Sequence, residues 1–169
     1  MTLIANLIIG ADGSTSSDGN SKNLSSSEDR ARFHKLRKQS KAIVIGGETA
    51  RKEPYKSTPL PLYVISRKEK ISELEGNNLA SIINGDPSIF ITKLKNEISG
   101  NILFEGGPNL LLELIEEIDE LYVTISTATG DGQVISFDGI TRDFVMEDKE
   151  EVDGEIFYTF KKMKSELHR

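Results

Sequence analysis

Four short apolar runs of this chain end in residues that could handle a charged ligand. Ile8-Ile9 leads to Asp12-Gly13, Ile45 to Gly46-Gly47-Glu48-Thr49, Ile65 to Ser66-Arg67-Lys68, and Phe104 to Glu105-Gly106-Gly107. Gly106-Gly107 precedes a helical pattern whose first amides have no acceptor inside the helix, so the missing side chains would let a diphosphate approach its positive end. The same pair equally suits a tight turn that needs positive φ. It is not G-x-G-x-x-G, so the usual dinucleotide fingerprint is absent. Ser66-Arg67-Lys68 sets a hydroxyl beside two cations, which suits a phosphate monoester such as the 2′-phosphate of NADPH, or a solvated basic surface. Arg30, His34 and Arg37 fall at i, i+4 and i+7 beside Phe33 and Leu36 and share one helix face. That face could hold a substrate phosphate or merely cover the core stripe. A Ser-His-Asp mechanism is disfavoured, because His34 is the only central histidine and no nucleophile elbow is visible.

Composition narrows the classes further. A chain of 169 residues, 37% of them hydrophobic, is the size of one compact domain with a real core. It has no cysteine, which excludes disulfides, thiolate metal sites and a cysteine nucleophile. With two histidines, His34 and His168, a histidine-rich metal site is not expected either. A formal net charge of −6 disfavours nucleic acid as a partner. Leu3 to Ile9 is apolar but too short for a signal peptide or a span, so a soluble cytoplasmic protein is expected.

The elements that must position these groups alternate. Leu3 to Ile9 has no helical period and reads as a buried strand. A loop rich in Gly, Ser, Asp and Asn follows over residues 10 to 24, and Ser25-Ser-Ser-Glu28 has capping-box spacing for a helix running to about Lys38. Ala42 to Ile45 and Leu62 to Ile65 read as strands. A helix turn is expected near Ile71 to Leu74 and a strand near Ala80 to Ile83. Asp86-Pro87 caps a helix from Pro87 to Ile98, closed by Gly100. Ile102 to Phe104 is a strand, Asn109 to Glu117 a helix and Leu121 to Ser126 another strand. Phe144 to Met146 and Glu155 to Lys161 read as a hairpin around Asp153-Gly154. The pattern predicts an α/β fold, with a mostly parallel sheet and an antiparallel edge, and places ligands at the carboxyl ends of the parallel strands.

The segments D-G-S-T-S-S-D-G-N-S-K-N-L-S-S-S-E-D-R-A-R-F-H-K-L-R, A-I-V-I-G-G-E-T-A-R-K-E-P-Y, L-Y-V-I-S-R and I-L-F-E-G-G-P-N-L, in that order, resemble the reductase domain of bacterial riboflavin biosynthesis, the RibD C-terminal family. The resemblance implies a dihydrofolate reductase-like three-layer fold in a single domain over residues 1 to 169, without the zinc deaminase domain, whose cysteine ligands this chain cannot supply. It also implies NADPH as cofactor, a phosphorylated ribosylamino-pyrimidinedione as small-molecule substrate, reduction to the ribityl compound, and a homodimer. Carried over by motif, Thr49 and Glu53 border the cofactor, Ser66 and Arg67 its 2′-phosphate, and Gly106, Gly107, Pro108, Asn109 and Leu110 its diphosphate. Ser21 and Arg37 fall on the substrate side, and Glu105 holds the substrate. Asp12, Glu105 or water supplies the proton. Hydride transfer between two planar partners needs no metal and no covalent nucleophile.

Two departures stand out. Ser14 follows Asp-Gly where the family commonly has a basic residue, and Lys52-Glu53-Pro54-Tyr55 replaces Asp-Asp-Pro with its following threonine and arginine. They leave open a reductase of the same fold acting on another imine, pterin or nucleoside, and a nucleotide-binding protein without turnover.

Overall fold

The computed structural model describes residues 2–164, so His168 and the outermost ends of the expected single domain lie outside the described residues. Its centre is an eight-stranded sheet. In chain order the elements are β1 (Leu3–Ile9), α1 (Ser27–Lys38), β2 (Ser40–Gly46), α2 (Gly47–Lys52), β3 (Leu62–Ile65), β4 (Ala80–Ile83), α3 (Pro87–Glu97), β5 (Asn101–Gly106), α4 (Pro108–Glu113), β6 (Glu120–Ile125), α5 (Phe137–Thr141), β7 (Phe144–Val152) and β8 (Glu155–Lys162). The spatial order is β4-β3-β2-β5-β1-β6-β8-β7. β1 to β6 run parallel, and β8 and β7 add antiparallel at one edge. The predicted α/β class, with helices on both faces of a mostly parallel sheet, is what the chain adopts.

Alternation along the strands assigns the helices to their layers. Leu3, Ala5, Val44, Ile102, Phe104, Leu121 and Val123 pack with Ile91 and Leu94 of α3, Leu110 and Leu111 of α4 and Ile140 of α5. The intervening positions face the other way. Ile4 and Leu103 meet Leu36 of α1, while Ile43, Ile45, Leu62 and Val64 meet Ala50 of α2. A one-residue register error would exchange these sets, so the buried faces themselves specify the pairing.

Several local signals act one step away from where the sequence suggests. The cap of α1 is Ser26, whose hydroxyl accepts the Asp29 N–H at 3.1 Å, one residue beyond the expected box. The helix expected to reach Glu117 ends as α4 at Glu113 and resumes as a 3-10 turn over Ile115–Glu117. α2 starts directly on Gly47, in a stretch where the sequence pattern predicts no helix. β7 continues to Val152 because its charged residues sit on an exposed sheet edge, where alternation carries no hydrophobic signature. Asp153 and Gly154, both with positive φ, turn the chain into β8 as the hairpin motif predicts. No helix among the described residues is long and apolar enough to cross a membrane.

Candidate active site

The strand order reverses around β5 and β1, and a cleft of about 330 Å³ opens at the carboxyl ends of β1, β2 and β5. Its floor is made by one irregularity. β5 keeps register with β2 from Ala42 opposite Ile102 to Val44 opposite Phe104, and then Ile45 faces Gly106. Glu105 is therefore the extra residue of a β-bulge, left without a partner on β2. Phe104 points to the α3 and α4 layer, and Glu105 turns to the α1 side.

There Glu105 meets Arg37. The guanidinium Nε donates to Oε2 and Nη2 to Oε1, both at 2.7 Å, in a bidentate fork. The Tyr55 hydroxyl donates to Oε1 at 2.8 Å. The Glu105 side chain is 0% exposed and that of Arg37 only 15%. Burial alone would loosen the Arg37 proton, but Glu105 and Tyr55 outweigh it and raise its pKa. Burial, reinforced by the Glu105 carboxylate, pushes the Tyr55 phenol well above its ordinary range, so it stays a neutral donor. Arg37 also lies 4.4 Å from the Phe33 ring centroid, and Arg30 lies 4.7 Å from it on the same aromatic support.

Directly after Glu105, Gly106 and Gly107 are joined by a cis peptide, and Gly106 has φ +144°, a conformation closed to most side chains. A Cβ on Gly107 would stand 2.8 Å from Thr49 Oγ1, so the buried Thr49 and this turn are fitted to each other. The missing side chains leave a cradle lined by Gly46, Gly47, Thr49, Gly106, Gly107, Pro108, Asn109 and Leu110, open enough for the backbone to approach a diphosphate. These residues fit a dinucleotide. α4 has only six residues, so its dipole is weaker than that of the longer helix expected from the sequence. Gln133 closes the rim by donating from Nε2 to Asn109 Oδ1 at 2.8 Å.

The opposite wall carries Ser21, Lys22, Asp29, Arg30 and Glu53. Glu53 Oε1 accepts the Ser21 N–H at 3.1 Å and also the Ser21 hydroxyl. Burial raises the Glu53 pKa, with nearby Glu105 adding to it, against the lowering by the Ser21 bonds. Asp29 is buried: its Oδ1 accepts the Thr124 hydroxyl at 2.7 Å and its Oδ2 the Ser25 hydroxyl at 2.5 Å.

The cleft thus unites Thr49, Glu53, Glu105, Gly106, Gly107, Pro108, Asn109, Leu110, Ser21 and Arg37 from the sequence reading. Ser66 lies beside it, next to Gly47. Arg67 is exposed beyond β3, with its carbonyl accepting from Asn84 Nδ2 at 2.9 Å. His34 is exposed, edge-on to Phe33, and lines no part of the cleft; partial burial and then Arg30 and Arg37 lower its pKa. Asp12 does not line the cleft either. It ties two loops together, accepting the Ser14 hydroxyl at 2.6 Å and the Gly130 N–H at 3.3 Å. The bond from Ser14 lowers the Asp12 pKa, outweighing an opposing effect of burial. Tyr55 and Asp29 escape the sequence reading. Tyr55 is in the departing K-E-P-Y segment, directly after Pro54, and no spacing rule marks it as a donor to Glu105. Asp29 is three residues past the Ser26 cap, and capping explains it without reference to a cleft.

The chain matches the RibD C-terminal domain model over residues 1–150. No curated protein sequence matches it. Among solved structures it is similar to a pyrimidine reductase-like protein from Corynebacterium diphtheriae, with 22% identity over 97% of this chain and 92% of that one, TM-score 0.75. It is similar to dihydrofolate reductase from Enterococcus faecalis complexed with NADP(H), with 17% identity over 96% and 97% of the two chains, TM-score 0.75. It also resembles a Thermotoga maritima diaminohydroxyphosphoribosylaminopyrimidine deaminase/5-amino-6-(5-phosphoribosylamino)uracil reductase, with 16% identity over 96% of this chain and 56% of that one, TM-score 0.73. At these identities the structures establish the dihydrofolate reductase-like fold.

Proposed function

We propose that this chain, which belongs to the RibD C-terminal domain family, is an NADPH-dependent reductase of 5-amino-6-(5-phosphoribosylamino)uracil. The observation that supports it most is the bulged corner itself: a buried, hydrogen-bonded carboxylate and a side-chain-free cradle are consecutive residues of one turn. Such a corner can hold two planar reactants at contact distance. When bound, the nicotinamide supplies a hydride. Gly106 to Leu110 seat the diphosphate, Thr49 and Glu53 border the nicotinamide end, and Ser66 with a neighbouring cation takes the 2′-phosphate. Glu105 accepts one hydrogen bond from the substrate, on the single Oε2 lone-pair site that Arg37 and Tyr55 leave. Ser21 faces the sugar, and Arg30 and Lys22 are the cleft cations that remain for its phosphate, because Arg37 is committed to Glu105 and Lys52 to Glu48. Glu53, whose burial favours the neutral acid, is the better proton source than Asp12, which is tied into its loops. The proposal includes a single reductase domain, a cytoplasmic location and a homodimer, the last to be checked by light scattering.

A second reading, a reductase of an unphosphorylated imine, draws on that same engagement of Arg37. One assay separates them. NADPH and NADH are titrated by nicotinamide fluorescence, and turnover is then followed with the ribosylaminouracil in phosphorylated and dephosphorylated form. Faster turnover of the phosphate ester supports the first reading, and turnover without it alone supports the second. Failure to bind either nucleotide overturns both.

A further inference from the structure

We propose that Arg51, acting with Ser66, is the cation that selects a nucleotide carrying a 2′-phosphate, in place of the sequence-adjacent Arg67. The inference rests on the nicotinamide-nucleotide reading above and names the selecting residue within it. Gly47, the first residue of α2, has no side chain, and a Cβ placed there would stand 2.7 Å from Ser66 Oγ and 3.3 Å from Arg51 Nη1. The Ser66 hydroxyl and the Arg51 guanidinium therefore both pack against the bare face of Gly47, separated by no more than the sum of those distances. A methyl at position 47 would collide with Ser66, so glycine is what lets the two groups stand this close.

The Ser66–Arg51 pair is correctly placed for the ligand. β3, β2 and β5 are neighbours, so Ser66, Gly46-Gly47 and Gly106-Gly107 lie side by side at three adjacent strand ends. Two strand spacings come to about 10 Å. That span is within reach of one adenosine ribose bearing phosphates on its 5′ and 2′ oxygens.

Arg51 is exposed, as Arg67 is, but its backbone is fixed in α2. It follows Gly47 by four residues on the same helix, so one turn of α2 returns it to the face of Gly47 and Ser66. Lys52, its neighbour on α2, is engaged by Glu48 at 2.7 Å. No ion pair among the described residues involves Arg51. Its planar fork matches a phosphate in a way that an ammonium does not. Arg67 stands in the exposed stretch after β3, anchored only through its carbonyl to Asn84.

The test is equilibrium binding to the full chain, following NADPH and NADH by nicotinamide fluorescence and adenosine 2′,5′-bisphosphate and adenosine 5′-monophosphate by competition. Arg51→Ala should weaken NADPH and the bisphosphate about ten- to hundredfold, as expected for lost charge-assisted bonds, with NADH and the monophosphate changed less than about twofold. Arg51→Lys should fall between, and Arg67→Ala should leave the NADPH-to-NADH preference within about threefold of the parent. Equal losses for all ligands in Arg51→Ala, or loss of the preference in Arg67→Ala alone, would overturn the assignment while leaving the cofactor reading intact. If the unaltered chain binds NADPH no better than NADH, the 2′-phosphate subsite is refuted outright. If it binds neither, the nicotinamide reading falls as well.

Discussion

Replacing Arg37 with alanine removes both arms of the fork on Glu105 and leaves a carboxylate with a 0% exposed side chain facing only the Tyr55 hydroxyl. Breaking a buried ion pair from one side costs about 3–5 kcal/mol, because the remaining charge is neither solvated nor compensated. The surviving Tyr55 bond argues for the lower part of that range. Loss of the Arg37 contact with Phe33 at 4.4 Å adds about 0.5–1 kcal/mol. A total of about 4 kcal/mol is a large part of the stability of an ordinary domain and should lower Tm by roughly 8–16 °C for a chain of this size. Urea unfolding at pH 7 measures it directly. The partner variant, Glu105→Gln, separates the buried charge from mere packing. Combined with Arg37→Ala it leaves a neutral amide in the bulge, so the double variant should be more stable than Arg37→Ala alone, with a coupling of about 2 kcal/mol or more. A loss under about 1 kcal/mol in Arg37→Ala, or a coupling near zero, would show that the fork does not hold the corner together.

Other expectations follow from the same geometry. Tyr55→Phe deletes one donor to Glu105 and should cost about 1–2 kcal/mol in urea unfolding, clearly less than Arg37→Ala; an equal loss would overturn the ranking. Gly107→Ala drives a methyl against Thr49 Oγ1 at 2.8 Å, which should destabilise by about 1–3 kcal/mol, and Thr49→Ala in the same chain should recover most of it. No recovery would locate the clash elsewhere. Glu53 has a pKa raised by burial, so the folded chain holds a proton that the unfolded chain releases. Its contribution is present below the ordinary carboxylate range of about 4.3 and is lost as pH rises through the folded value. Relative to the parent, Glu53→Gln should therefore gain stability between pH 4 and pH 7, and a flat or opposite trend in paired denaturation curves would refute this.

How much could be read from the sequence varies with the range over which each residue acts. Strands such as Leu3–Ile9 and Leu62–Ile65 were legible because an apolar run between turn residues is a local pattern. The Glu105-Gly106-Gly107 corner was legible as a motif, and its glycines require close approach whatever surrounds them. The bulge was not, because it exists only as a mismatch with β2, and the two strands come from distant parts of the chain. Arg37 was expected on the substrate side, yet its partner is 68 residues away, and no spacing rule reaches that far. Asp12 looked reactive beside a glycine; its hydrogen bond to Gly130 spans 118 residues and ties it into a loop junction. Tyr55 and Asp29 read as a loop aromatic and a helix-start acid, since their roles depend on what folds over them.

The bulge at Glu105 also sets a length. The carboxylate and the first glycine of the cradle are neighbours in the chain, so their Cα atoms are 3.8 Å apart, and no hinge lies between them. Arg37 clamps the same residue from α1, and Thr49 braces the glycines from α2. Whatever breathing occurs in the loops around Ser21 or Gln133 changes how the cleft opens, but not the spacing between the two seats. The corner behaves as a ruler cut into the backbone: inserting one residue after Glu105 would lengthen it by a full peptide unit, leaving both seats recognisable and out of step with each other.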